Sequence, residues 1–142
     1  MRSPLLRALL LLVPLVIAAS GCSSNNDTVT TPTPTVPVLV TDTFAGDISA
    51  GGVNYHVLSV QKGDVTTTMT GIGLDPTVTI GMSVGVTDLV SCTVVLDNPA
   101  ATIGSQLKGT ATAANSLCVK VYDAGTVTGT NTLSYALTVG HY

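Results

Sequence analysis

Of the 142 residues, 45% are hydrophobic and only 9% are charged, whereas about a quarter of the residues in an ordinary soluble domain are charged. The length allows one domain of about 100 residues and an additional segment, which excludes a large multidomain enzyme. Fourteen Gly, one Phe, no Trp and no Glu exclude a helical bundle or coiled coil, which would be rich in Glu, Lys, Leu and Ala.

The chain begins with Arg2 and Arg7, followed by an apolar run from Ala8 to Ala18 interrupted by Pro14, and then by small residues up to Cys22. This is the layout of a signal peptide. The run is shorter than the roughly 20 residues needed to span a bilayer and exits abruptly into polar sequence, so it is not read as a membrane span. Ala19-Ser20-Gly21-Cys22 resembles the bacterial lipobox. The resemblance implies cleavage of residues 1–21, a diacylglyceryl group on the Cys22 thiol and acylation of the new amino group. Two or three acyl chains make a stable anchor where one holds only marginally. Ser23 follows in place of the Asp that marks inner-membrane retention, so the resemblance implies a lipid-anchored envelope protein, at the outer membrane if the host has one.

Without residues 1–21, three lysines remain against eight aspartates, a formal charge of −5. Such a chain has no electrostatic footprint for nucleic acid or anionic headgroups, and its membrane contact must come from lipid. Residues 22–40 alternate Thr with Pro32, Pro34 and Pro37, which removes backbone donors and favours extended conformations, so this segment is read as a tether. Val36, Val38 and Val40 alternate and could begin a strand.

Residues 41–142 carry period-two patterning. Val78, Ile80, Met82, Val84 and Val86 alternate with Thr79, Gly81, Ser83 and Gly85, placing the apolar side chains on one face of a strand. Further strands are expected at Asn54 to Val60, Asp64 to Thr70, Cys92 to Leu96, Ser105 to Thr112, Leu117 to Tyr122 and Leu133 to Val139. The turn signals between them are Lys62-Gly63-Asp64, Gly73-Leu74-Asp75-Pro76, Asp97-Asn98-Pro99 and Asp123-Ala124-Gly125. Short Val- and Thr-rich strands at this spacing predict an all-β, antiparallel sandwich of seven to nine strands.

With Cys22 assigned to lipid, Cys92 and Cys118 remain in an exported domain where oxidation is allowed. A disulfide between them would contribute roughly 3 kcal/mol on the chain-entropy model, provided they lie on neighbouring strands. The alternatives are two buried thiols, or metal ligation without the short Cys/His spacing that a metal site needs.

Val53-Asn54-Tyr55-His56-Val57, Val60-Gln61-Lys62-Gly63-Asp64-Val65, Asp75-Pro76-Thr77-Val78-Thr79-Ile80, Ser116-Leu117-Cys118-Val119-Lys120-Val121-Tyr122 and Ser134-Tyr135-Ala136-Leu137-Thr138-Val139 together resemble the bacterial pre-peptidase C-terminal domain, over about residues 43–140. The resemblance implies a jelly-roll-like sandwich without catalysis of its own.

Gly81-Met82-Ser83-Val84-Gly85 matches the G-x-S-x-G nucleophile elbow, and Asp123 and His141 follow in hydrolase order. The elbow needs a strained strand-to-helix turn beside oxyanion donors, whereas here the motif sits inside the cleanest strand of the chain. Gly81 and Gly85 are read as relieving crowding, so no catalytic residue is assigned. His56 is expected at a surface or hydrogen-bonded position, and His141 at the end of the last strand or mobile. Asp75, Asp97 and Asp123 are the loop positions where calcium could bind, yet no D-x-[DN]-x-[DN]-G loop occurs. No metal site or cofactor is therefore assigned.

The leading functional expectation is a lipid-anchored, non-catalytic sandwich that binds an envelope protein or plays a structural role. The alternatives are a small serine hydrolase using Ser83, or a glycan-binding module stacking sugars on Phe44, Tyr55, Tyr122, Tyr135 or Tyr142.

Overall fold

The computed structural model describes residues 36–73 and 78–142. The signal peptide, Cys22, most of the tether and Asp75 lie outside the described residues. Residues 36–39 are exposed and without regular structure, and the first strand opens at Val40.

Eight strands follow: β1 (Val40–Ser49), β2 (Val53–Val60), β3 (Gly63–Ile72), β4 (Ile80–Thr87), β5 (Cys92–Ala101), β6 (Gln106–Ala111), β7 (Asn115–Tyr122) and β8 (Thr132–His141). They form two four-stranded sheets in the orders β1-β8-β3-β6 and β2-β7-β4-β5, and every pairing is antiparallel. This is an eight-stranded jelly-roll sandwich. Only β4 and β5 are consecutive strands paired as a hairpin; every other connection passes between the sheets.

In β3 and β8 the alternation read from sequence is the alternation of burial, whereas β4, flanked by β7 and β5, is buried on both faces from Ile80 to Gly85 and leaves Val86 exposed. Val65 and Met69 in β3, Ile80, Met82 and Val84 in β4, Val119 and Val121 in β7, and Leu137 and Val139 in β8 meet in one core. Each such side chain stabilises the fold by about 1.5–3 kcal/mol.

Two expectations need correction. Asp97-Asn98-Pro99 is not a turn: β5 runs through it to Ala101, with its register to β4 shifting between Ile80 and Met82. β5 is an edge strand, and an edge with a bulge accepts a proline because no ladder bond is lost. The second is the alternation of Val36, Val38 and Val40 as the beginning of a strand: Val36 and Val38 lie outside it, and β1 opens only at Val40. Its inward positions include Asp42 and Gly46, which interrupt the apolar pattern.

Candidate functional site

The G-x-S-x-G segment lies in β4, flanked by β7 and β5. Each of its three small residues has a separate structural reason. Gly81 pairs with Tyr122, and a Cβ there would fall inside the tyrosine ring, so the glycine lets the ring lie flat across β4. At Gly85 a Cβ would collide with the backbone carbonyl of Thr93; the register between β4 and β5 shifts between Val84 and Gly85, and the start of β5 presses directly on β4.

That close approach explains the disulfide. Cys92 and Cys118 are bonded, with Cα atoms 5.9 Å apart. The cysteines do not lie on neighbouring strands as expected, because β4 separates β5 from β7. Gly85, the register partner of Cys118, has no side chain to hold the entering β5 away. The bridge therefore closes over it.

Between the glycines, Ser83 is 1% exposed and its Oγ donates to Asp97 Oδ1 at 2.6 Å. The Tyr122 hydroxyl donates to the same oxygen at 2.9 Å. Burial, followed by the neighbouring Asp97 carboxylate, raises the Tyr122 pKa. Lys120 Nζ sits 4.5 Å from the centroid of the Tyr122 ring, a cation–π distance.

The structure does not assemble Ser83, Asp123 and His141. His141 ends β8 in the other sheet, buried, with Nε2 3.1 Å from Asp42 Oδ2. Asp123 is spent on backbone. Its Oδ2 accepts from Gly51 N–H, and its Oδ1 from Gly125, Thr126 and Val127. These amides, Gly51 and Val127 foremost, hold its pKa down to about 2. Asp97 Oδ1 and both Asp123 oxygens thus accept from protein donors. Among the described residues no three His, Cys or Asp side chains are grouped to hold a metal.

His56 is half-buried, with Nε2 hydrogen-bonded to the Tyr135 hydroxyl at 2.7 Å and its ring stacked 4.7 Å from Phe44. Phe44 and Tyr135 face the interior, so two of the five aromatics considered for sugar stacking are withdrawn from the surface.

The β4–β5 hairpin tip was missed in the sequence. Leu89 has φ +73° and is 76% exposed, and Val90 is 93% exposed. A left-handed conformation costs a branched residue roughly 1–2 kcal/mol. The tip is fixed by its neighbours: Asp88 Oδ1 accepts from the amides of Val90 and Ser91 and from Ser91 Oγ. Thr87 Oγ1 accepts from Leu89 N–H and donates to the Ser91 carbonyl. These bonds, chiefly the Ser91 amide, depress the Asp88 pKa. The disulfide begins one residue later at Cys92. An Asp three residues before a Ser, immediately ahead of a cysteine, was the available signal.

No family model matches this chain, and no curated protein matches it. The Aeromonas hydrophila protein PliG, a periplasmic lysozyme inhibitor of g-type lysozyme, is similar at a TM-score of 0.46 and 16% identity, over 70% of this chain and 83% of that one. The Yersinia pseudotuberculosis-derived mitogen is similar at a TM-score of 0.55 and 13% identity, over 74% of this chain and 88% of that one, and what the two share is a fold.

Proposed function

We propose that this chain is a non-catalytic binding module, lipid-anchored through Cys22 to the cell envelope, which presents the β4–β5 hairpin tip to a protein partner. The observation that carries this reading is the tip itself. Two large aliphatic side chains are held in solvent, one on a strained backbone, by a hydrogen-bond network and an adjacent disulfide. Strain kept in place by surrounding structure is a marker of function, and loops on a rigid scaffold are where binding residues concentrate. A preorganised apolar tip loses little entropy on docking. The non-catalytic part rests on Ser83, whose hydroxyl is buried and committed to Asp97 with no histidine beside it.

A photoreactive amino acid at position 89, with exposed Thr43 as control, tests the reading on intact cells. A discrete adduct at 89 that disappears in the Val90→Asp background supports it. Equal labelling at 89 and 43 overturns it. Fluorophosphonate labelling lost in Ser83→Ala would contradict the non-catalytic assignment. Membrane fractionation of Cys22→Ala against wild type tests the anchor, and identical soluble behaviour of the two would refute it.

A further inference from the structure

The two sheets end in four edge strands, β1 and β6 in one and β2 and β5 in the other. An edge strand offers unpaired backbone donors and acceptors to any further strand, and folded chains blunt such edges with charge, proline, bulges or short length. Three of the four are blunted in these ways. β1 carries Asp42 and Asp47, and its Asp47 carbonyl accepts from the Asn54 side-chain amide. β5 has two register shifts to β4 and contains Asp97 and Pro99, while β6 has only six residues and contains Lys108. β2 has none of these devices: its eight residues include no Asp, Glu, Lys, Arg or Pro, and all of them pair with β7 in one unbroken register.

The open side of β2 is fixed residue by residue. The Asp123 amide donates to the Gly52 carbonyl at 3.0 Å, one step beyond the pair formed by Val53 and Tyr122. Along an antiparallel strand, residues alternate between bonding to the partner and pointing away from it. Asn54, His56 and Leu58 therefore bond to β7, while Val53, Tyr55, Val57 and Ser59 direct their N–H and C=O groups to the open side. Gln61 keeps this alternation, donating its amide to the Tyr142 carbonyl just beyond β8 in the other sheet. The side chains of the same four residues are exposed on the outer face of the sheet, and those of Val53, Tyr55 and Val57 are large and apolar.

We propose that β2 pairs antiparallel with β2 of a second copy of this chain, about a two-fold axis at His56. A two-fold contact requires a surface that complements itself, and β2 does so. Centred on His56, the pairing sets Val53 opposite Ser59 and Tyr55 opposite Val57 of the other copy, in both directions, so that every open donor and acceptor is used. Aromatic residues opposite β-branched ones stabilise a strand pair, and like charges opposite one another would oppose it; β2 brings no Asp, Glu, Lys or Arg to the contact. The joined sheet then ends on both sides in a blunted β5, so assembly stops at two copies. The β4–β5 hairpin lies across the sheet from β2; its tip stays free, and the pairing does not depend on what the tip binds.

Sedimentation velocity of residues 22–142 carrying Cys22→Ala, which contain all eight strands and lack both leader and lipid as causes of association, tests this at pH 7.5, where His56 is neutral. A single strand pair is a small interface, so a reversible shift from monomer to dimer is expected as concentration rises, with slowed amide exchange at Val53, Tyr55, Val57 and Ser59. Tyr55→Lys and Val57→Asp, both at exposed positions, are each expected to weaken self-association at least about tenfold while keeping the wild-type far-UV spectrum. An equimolar mixture of the two, which sets the new lysine opposite the new aspartate, is expected to recover the dimer. Val95→Lys, on the blunted β5, is expected to leave association unchanged. The inference is overturned if the chain stays monomeric at every concentration, even with those four amides protected, since residues 23–35 of the same chain would then be the occupant. It is equally overturned if Val95→Lys weakens association as much as Tyr55→Lys, or if the mixture does not recover the dimer.

Discussion

The two open edges of the sandwich solve the same packing problem in opposite ways. At the β1/β2 edge, inward-facing Gly46 leaves a gap that Tyr135 enters: its hydroxyl lies 2.8 Å from where a Cβ would stand. The ring is then held by His56, itself stacked on Phe44. At the β5/β6 edge, inward-facing Gly109 leaves a gap that no side chain fills, and the neighbouring Thr67 hydroxyl goes unpartnered. A polar group between two sheets is tolerated when its partners are built in. Where they are missing, as at the second edge, the hydroxyl stays unpartnered among apolar side chains. The less filled edge is also the one joined covalently to the centre of its sheet, through Cys92 at the start of β5.

The largest expected effect tests that last point. Replacing both cysteines with Ser should cost about 3 kcal/mol by releasing a loop of 26 residues in the unfolded chain. Hydrogen exchange should increase most in β5 and β6. A uniform increase across β1 and β2 as well would mean that the bridge stabilises the sandwich as a whole and does not compensate for one loose edge.

Next in size is a pair of identical substitutions. Gly46→Ala drives a methyl group against the Tyr135 hydroxyl and should cost about 1–3 kcal/mol by overpacking. Gly109→Ala meets only Leu96 Cδ1, at an ordinary contact distance, and should be neutral or stabilising by up to about 1 kcal/mol, since it also restricts the unfolded chain. Equal melting temperatures for the two variants would erase the distinction between the edges.

The sequence revealed the interior strand β4 better than the edge strand β1, for a physical reason. Unbroken apolar alternation, as in Ile80, Met82 and Val84, announces a strand buried against the opposite sheet, and the fold class followed from several such stretches. β1 was harder because Asp42 and Gly46 face inward, toward His141 and Tyr135. Those partners are 99 and 89 residues away in the chain, and pairings at that distance leave no local pattern. Asp97 escaped notice as the partner of Ser83 for a related reason: the bulges in β5 shift its register to β4, and a bulge cannot be counted from spacing. Thr67 was legible in principle. In the run Thr66-Thr67-Thr68 between Val65 and Met69, period two places only Thr67 on the buried face.

Tyr135→Phe takes the hydroxyl out of the filled edge. It leaves half-buried His56 Nε2 without its partner, which should cost about 1–2 kcal/mol. Thermal unfolding of the variant at pH 7.5 measures this. An unchanged melting temperature would show that solvent replaces the hydroxyl, and that this edge is wetter than its packing indicates.

The smallest effect is a pH dependence confined to the same edge. Burial lowers the His56 pKa below its free value of 6.5, because a half-buried ring favours the neutral imidazole over the charged form. The folded state therefore binds the proton less tightly than the unfolded state. The stability contributed by neutral His56 is fully present above pH 6.5 and declines as pH falls through that value toward the lower folded one. Lowering the pH from 7.5 to 5.5 should reduce the melting temperature of the wild type, and His56→Gln, which cannot titrate, should reduce that slope. The same comparison in Thr67→Val should leave the slope intact, since the β5/β6 edge contributes no titrating group to its cavity. If His56→Gln and wild type lose stability in parallel, the acid sensitivity arises elsewhere and the filled edge is indifferent to protons.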